Sequence, residues 1–108
     1  MFPKSSMASM LQQAKQVQNQ LEELQGELAN LRIEGQSGGG VVKAVANGQQ
    51  DLISIKLDES LLEEDVEMIE DLVVAAVRQA ISKSREESQQ RMSGITGGML
   101  GGLNLPGM

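Results

Sequence analysis

The sequence predicts an α+β protomer in which two long helices flank a three-stranded antiparallel meander, in the order α-β-β-β-α. Three observations carry that reading. An apolar stripe at heptad spacing runs through residues 7–31. Two β-branched segments, Val41–Ala46 and Leu52–Leu57, flank Asn47-Gly48. A second apolar stripe, opened by an acidic stretch, ends at Ile81.

In the first helix Met7, Met10, Ala14, Val17, Leu21, Leu24, Leu28 and Leu31 alternate at steps of three and four, with Leu11 widening the stripe. That a/d pattern predicts a helix over about 7–30. The stripe is longer than a short sheet can cover. Met10, Ala14, Val17, Leu21, Leu24 and Leu28 are therefore expected to act both as core and as a seam for a partner helix. The outer face is rich in amides, Gln12, Gln13, Gln16, Gln18, Asn19 and Gln20. Amides hydrogen-bond polar surfaces without charge, and they serve equally as a plain solvated face.

Leu31 and Ile33 alternate with Arg32 and Glu34, which predicts a short first strand over about 31–36. Gly38-Gly39-Gly40 lacks the Gly-Lys-Ser/Thr ending of a phosphate loop and precedes a strand, so it predicts a turn or bulge. Asn47-Gly48 is a strong hairpin signal between strands at 41–46 and 52–57. An even loop, Asn47-Gly48 or Asn47–Gln50, sets Val42, Ala44, Ile53 and Ile55 on one face, with Lys43, Ser54 and Lys56 on the other. Ala44 and Ala46 are small enough for a helix to approach closely.

The second helix is expected over about 61–91, opened by a capping box of Ser60 and Glu63, with Asp65 as an alternative start after one short turn. Acids crowd its first turns and bases follow from Arg78, as the helix dipole favours. Its core stripe is Leu62, Val66, Ile69, Val73, Ala76 and Ala80, with Leu72, Val77 and Ile81 beside it. After Ile81 the stripe stops, and residues 82–91 are expected to have nothing to bury. A helix over 61–91 spans about 46 Å, whereas strands of this length cover only about 20–26 Å. The excess predicts a projecting arm. A single domain over 1–92 would then be followed by a glycine-rich disordered tail at 93–108, which carries no charge after Gly94.

Composition narrows the function. The chain has 108 residues, no cysteine and no histidine, and Phe2 is its one aromatic residue. Thiolate chemistry is excluded, and the usual general base and commonest metal ligand are missing. The carboxylates splay around a helix surface and fit no calcium-loop pattern, so no enzyme, metal, cofactor or small-molecule substrate is expected. The longest apolar run, Leu72–Val77, is far too short for a membrane span. Nothing after Met1 reads as a signal peptide, so a cytoplasmic protein is expected. Net charge is −6, but it is polarised. Residues 58–71 hold eight acids and no base, 1–21 hold Lys4 and Lys15 and no acid, and from 78 to 91 Arg78, Lys83, Arg85 and Arg91 stand against Glu86 and Glu87.

Several strings, in order and at their spacing, carry a family resemblance. They are Leu11-Gln12-Gln13-Ala14; Glu34-Gly35-Gln36-Ser37-Gly38-Gly39-Gly40 leading to Val42-Lys43 and Asn47-Gly48; and Asp58-x-Ser60-Leu61-Leu62-Glu63 followed by Glu67-Met68-Ile69-Glu70-Asp71-Leu72. Over residues 10–92 the chain closely resembles the YbaB/EbfC family of bacterial nucleoid-associated proteins. The resemblance implies a homodimer with projecting helical arms that binds double-stranded DNA in the cytoplasmic nucleoid, with roles in chromosome organisation and gene expression. Carried onto this chain, DNA contacts are expected from the basic residues on its polar faces, Lys4, Lys15, Lys83, Arg85 and Arg91. Gln12 stands where many relatives have a base, and only Lys83 is basic at a position where they often carry a pair. Fewer cations imply weak, salt-sensitive binding with little sequence preference. The competing reading is a protein-interaction scaffold using the acidic face, the heptad seam and the apolar tail, with little or no DNA contact.

Overall fold

The computed structural model describes residues 4–102, with side chains described from Ser6 to Ile95. The chain forms α1 (Lys4–Asn30), β1 (Ile33–Ser37), β2 (Val42–Ala46), β3 (Leu52–Leu57), a 3-10 turn (Glu59–Glu63) and α2 (Val66–Gly102). The strands make one antiparallel sheet in the order β1-β2-β3. This is the α-β-β-β-α architecture that periodicity and turn chemistry predict.

α2 lies across β1 and β2, and the core is where small residues meet. Val42, Ala44 and Ala46 from the sheet are fully buried against Ala76 and Ala80 of α2, with Leu61 closing one end. The tightest point is Gly35 on β1. A Cβ there would collide with the backbone of Ala76 and Ala80, so only glycine lets α2 come this close. The bare edge of β1 is tied down by the same helix. Gln36 N–H donates to Gln79 Oε1 at 2.7 Å, and Ser37 Oγ donates to the Leu72 carbonyl at 2.6 Å.

The hairpin keeps the expected faces by a different route. Ala44 pairs with Ile55, Val42 with Leu57 and Lys43 with Lys56, which is the parity an even loop would set. The loop itself is odd, residues 47–51, and a register shift at Val45/Ala46 restores the phase. Asn47-Gly48 does not form the two-residue turn, since of the five loop residues only Gln50 has positive φ, 62°. Asn47 instead organises the loop, its Oδ1 accepting from the N–H groups of Gln49 and Asp51 at 2.9 and 3.1 Å. Gly48 is needed for approach, because a Cβ there would sit 2.7 Å from Leu28 Cδ2. Its N–H donates to the Leu28 carbonyl at 2.7 Å, which satisfies one of the open acceptors at the end of α1.

The start of α2 also differs from expectation. The capping box at Ser60 and Glu63 does not form. Asp58 caps the 3-10 turn by accepting from Ser60 N–H at 2.9 Å, a bond that holds its carboxyl below the ordinary carboxylate range. Asp65 then caps α2, accepting from Met68 N–H at 2.7 Å. The interruption resets the helical phase. Leu61 becomes the buried residue, while Leu62 and Val66, expected in the core, are 86% and 68% exposed.

α2 is helical past residue 92 as far as Gly102, where a disordered tail is expected. Extending an existing helix adds one hydrogen bond per residue without a new nucleation cost, which offsets the poor propensity of the glycines. Residues 103–108 of the expected tail lie outside the described residues.

Candidate nucleic-acid interface

At about 1.5 Å per residue α2 is roughly 55 Å long and α1 roughly 40 Å, against a sheet about 20 Å along its strands. The excess gives an elongated body of 74 × 29 × 16 Å. Beyond the sheet, the C-terminal part of α1 meets the later turns of α2 in antiparallel fashion. This overturns the expectation that residues 82–91 bury nothing. Ser84 is fully buried, and Glu87, Ser88, Arg91 and Met92 are half-buried, because α1 and the 47–51 loop cover that stretch. The stripe continues at the same four-residue step, 76, 80, 84, and only its polarity hid it.

Ser84 is the pin at the base of this arm. Its hydroxyl donates to the Asn47 carbonyl and accepts from Gln50 N–H at 3.2 Å and Gln50 Nε2 at 3.3 Å. One side chain thus ties the hairpin loop to α2, and the loop in turn holds the end of α1 through Gly48. Gln49 Nε2 adds a contact to Gln25 Oε1 at 3.1 Å.

The cations expected to touch DNA fall into different situations. Lys15 on α1 and Arg85 on α2 are exposed, and neither makes an ion pair among the described residues. Lys83 is exposed with its Nζ donating to the Glu34 carbonyl at 3.2 Å. Lys4 begins α1, and its side chain lies outside those described. Arg91 is held. Its Nε reaches Glu87 Oε1 at 2.9 Å and its Nη1 reaches Glu27 Oε2 at 3.3 Å. Lys43 and Lys56 face each other on the sheet surface away from α2.

The expected seam divides in two. Leu24 and Leu28 are buried within the protomer, Val17 and Leu21 are half-buried, and Ala14 and Met10 are exposed, as are Met7 and Leu11. A second apolar surface, not anticipated, runs along β3. Every residue of β3 is exposed, including Leu52, Ile53, Ile55 and Leu57. Ile55 and Leu57 share the sheet face that α2 covers over β1 and β2, but lie past its edge. A signal for this was available. A helix is about 10 Å wide and strands are spaced about 4.8 Å apart, so one helix covers two strands and leaves the third bare.

Among the described residues no group of three or more Asp or Glu side chains is placed to hold a metal ion. No described helix is long and apolar enough to cross a membrane. A sequence profile of the YbaB/EbfC DNA-binding family matches residues 3–99. In fold the chain is similar to the uncharacterized protein HP0035 from Helicobacter pylori, known from its crystal structure. The TM-score is 0.72 at 21% identity, covering 89% of this chain and 99% of that one.

Proposed function

The chain belongs to the YbaB/EbfC DNA-binding family, and from that premise we propose that it acts as a homodimer binding double-stranded DNA through its helical arms with little sequence preference. The observation that carries the reading is the arm, a helix pair extending past the sheet with exposed Lys15 and Arg85 and an amide-rich surface. Lys83, and Lys4 at the start of α1, complete the phosphate-contacting set. Few cations, and no base-reading element among the described residues, favour backbone contact over sequence readout. The site is the bacterial nucleoid, within the cytoplasm, and the arrangement supports no catalytic role and no small-molecule substrate.

The second copy seats on β3. An edge strand with free backbone groups and an apolar, uncovered face is unstable in water and is satisfied when a copy of itself covers it. Titration against random-sequence duplex at two salt concentrations tests the function. The expected result is association on the order of micromolar at low salt that collapses as salt rises. Absence of binding even at low salt would favour the scaffold reading instead.

A further inference from the structure

We propose that Arg91 is a positioning residue that clamps α1 to α2, rather than a phosphate contact. Three features of its surroundings point there. Arg91 is the one residue in both ion pairs found among the described residues, and these bind it to two helices at once. Glu87 lies one turn earlier on α2, the orientation in which an acid preceding a base is favourable on a helix. Glu27 comes across from the last turn of α1, sixty-four positions away in sequence. The guanidinium fork suits this double engagement, since its donors are fixed in a plane and can serve two carboxylates together.

The consequence is electrostatic as well as geometric. Two carboxylates around one guanidinium leave that spot net negative, so a phosphate approaching it meets repulsion before it meets Arg91. What Arg91 does contribute is the angle between the helices. Ser84 and Gly48 fix them at the sheet, buried Leu24 packs between them farther out, and Arg91 adds the charged tie across their open side. The outer turns of α1 extend beyond it. Ser9 lies about 27 Å from Glu27 along the axis at 1.5 Å per residue, so a small change of splay at Arg91 becomes a large displacement there.

The proposal rests on the DNA reading for its meaning, but its test has an arm that does not. The chain has no cysteine, so spin labels can be placed at Ser9→Cys and Gln89→Cys, with labelled protomers diluted into unlabelled protein. Pulsed electron resonance is expected to give a narrow distance distribution in the parent. Arg91→Gln should broaden it, and Glu27→Arg with Arg91→Glu should narrow it again by rebuilding the cross-helix pair. An unchanged width in Arg91→Gln would overturn the clamp. In the second arm, binding to random-sequence duplex is measured across a salt series. Arg91→Gln is expected to keep the parent slope of log K against log salt, whereas Arg85→Ala flattens it by about 0.9 for each phosphate no longer neutralised. A flattening of about 0.9 in Arg91→Gln would make Arg91 a phosphate contact and overturn the proposal. If the parent binds no duplex at all, the DNA reading falls, and the distance measurement still decides the clamp.

Discussion

Gly35 offers the sharpest test of how the helix sits on the sheet. Its φ is not positive, so alanine is sterically allowed by the backbone alone. On that ground Gly35→Ala would stabilise by about 0.4–1 kcal/mol through a less flexible unfolded chain. The packing says the opposite. The added Cβ would run into the Ala76 carbonyl and the Ala80 amide nitrogen, and neither is the tip of a flexible side chain that can swing aside. α2 must lift, straining the Gln36–Gln79 and Ser37–Leu72 bonds. Overpacking costs about 1–3 kcal/mol and more where backbone must move, so the upper end is expected, leaving a net loss of roughly 2 kcal/mol or more after the entropic gain. At roughly 4 °C or more per kcal/mol, the melting temperature should fall by about 8 °C or more. Gly26→Ala is the matched control. Nothing lies within 4 Å of a Cβ there, and the position is inside α1, so it should gain about 0.5–1 kcal/mol. Calorimetry of both variants decides the matter. A Gly35→Ala protein as stable as the parent would refute the close approach of α2 to β1.

Other outcomes follow from the same structure. Ser84→Ala leaves the Asn47 carbonyl and the Gln50 amides without their shared partner, and should cost about 1–3 kcal/mol in urea denaturation. Leu57→Asp on β3 should lower the dimer fraction in sedimentation more than Met10→Asp on α1; the reverse ranking would return the seam to the helix. Lys83→Ala with Arg85→Ala should flatten the salt slope by about two units per protomer engaged, while Lys43→Ala with Lys56→Ala leaves it unchanged. Loss of binding in the sheet pair alone would move the DNA surface to the sheet.

The element order was legible because each element repeats its signal many times over. An a/d stripe of eight residues or two β-branched runs around a turn cannot easily mean anything else. Single-residue signals were less safe. Asn47-Gly48 has the chemistry of a tight turn, yet Gly48 is there because Leu28 packs against it, a contact between residues far apart in sequence. Ser60 and Glu63 have the spacing of a capping box, but Asp58 takes the Ser60 amide that Glu63 would need, and Asp65 caps a separate helix start through Met68 N–H. Ser84 sits on the buried stripe as a polar residue, so hydropathy alone ends the stripe too early. The candidate DNA site was the least legible part. Sequence counts cations, while their availability depends on which carboxylates the fold brings beside them, as Glu27 from α1 shows for Arg91.

That distinction bears on how an acidic protein can engage a duplex. The net charge of −6 matters only where it is felt. The acids of 58–71 lie on the 3-10 turn and the first turns of α2, and the arm is at the other end of that helix. Asp71 and Lys83 are about 18 Å apart along the axis, and Glu67 and Arg85 about 27 Å. Screening at 0.1 M salt acts over about 10 Å, so these carboxylates contribute little at the arm. Nearer acids exist: Glu27 and Glu87 are engaged by Arg91, whereas Glu22, Glu23 and Glu86 are exposed with no ion pair among the described residues and lower the positive potential of the arm. With Arg91 set aside, the proposed contacts Lys4, Lys15, Lys83 and Arg85 would bound the electrostatic part of the binding at a slope of about −3.6 per protomer. Phosphate contact by so few charges is weak for one arm. In the proposed homodimer, pairing two protomers through β3 would double the set, which would tie the bare face of β3 to the function of the arms.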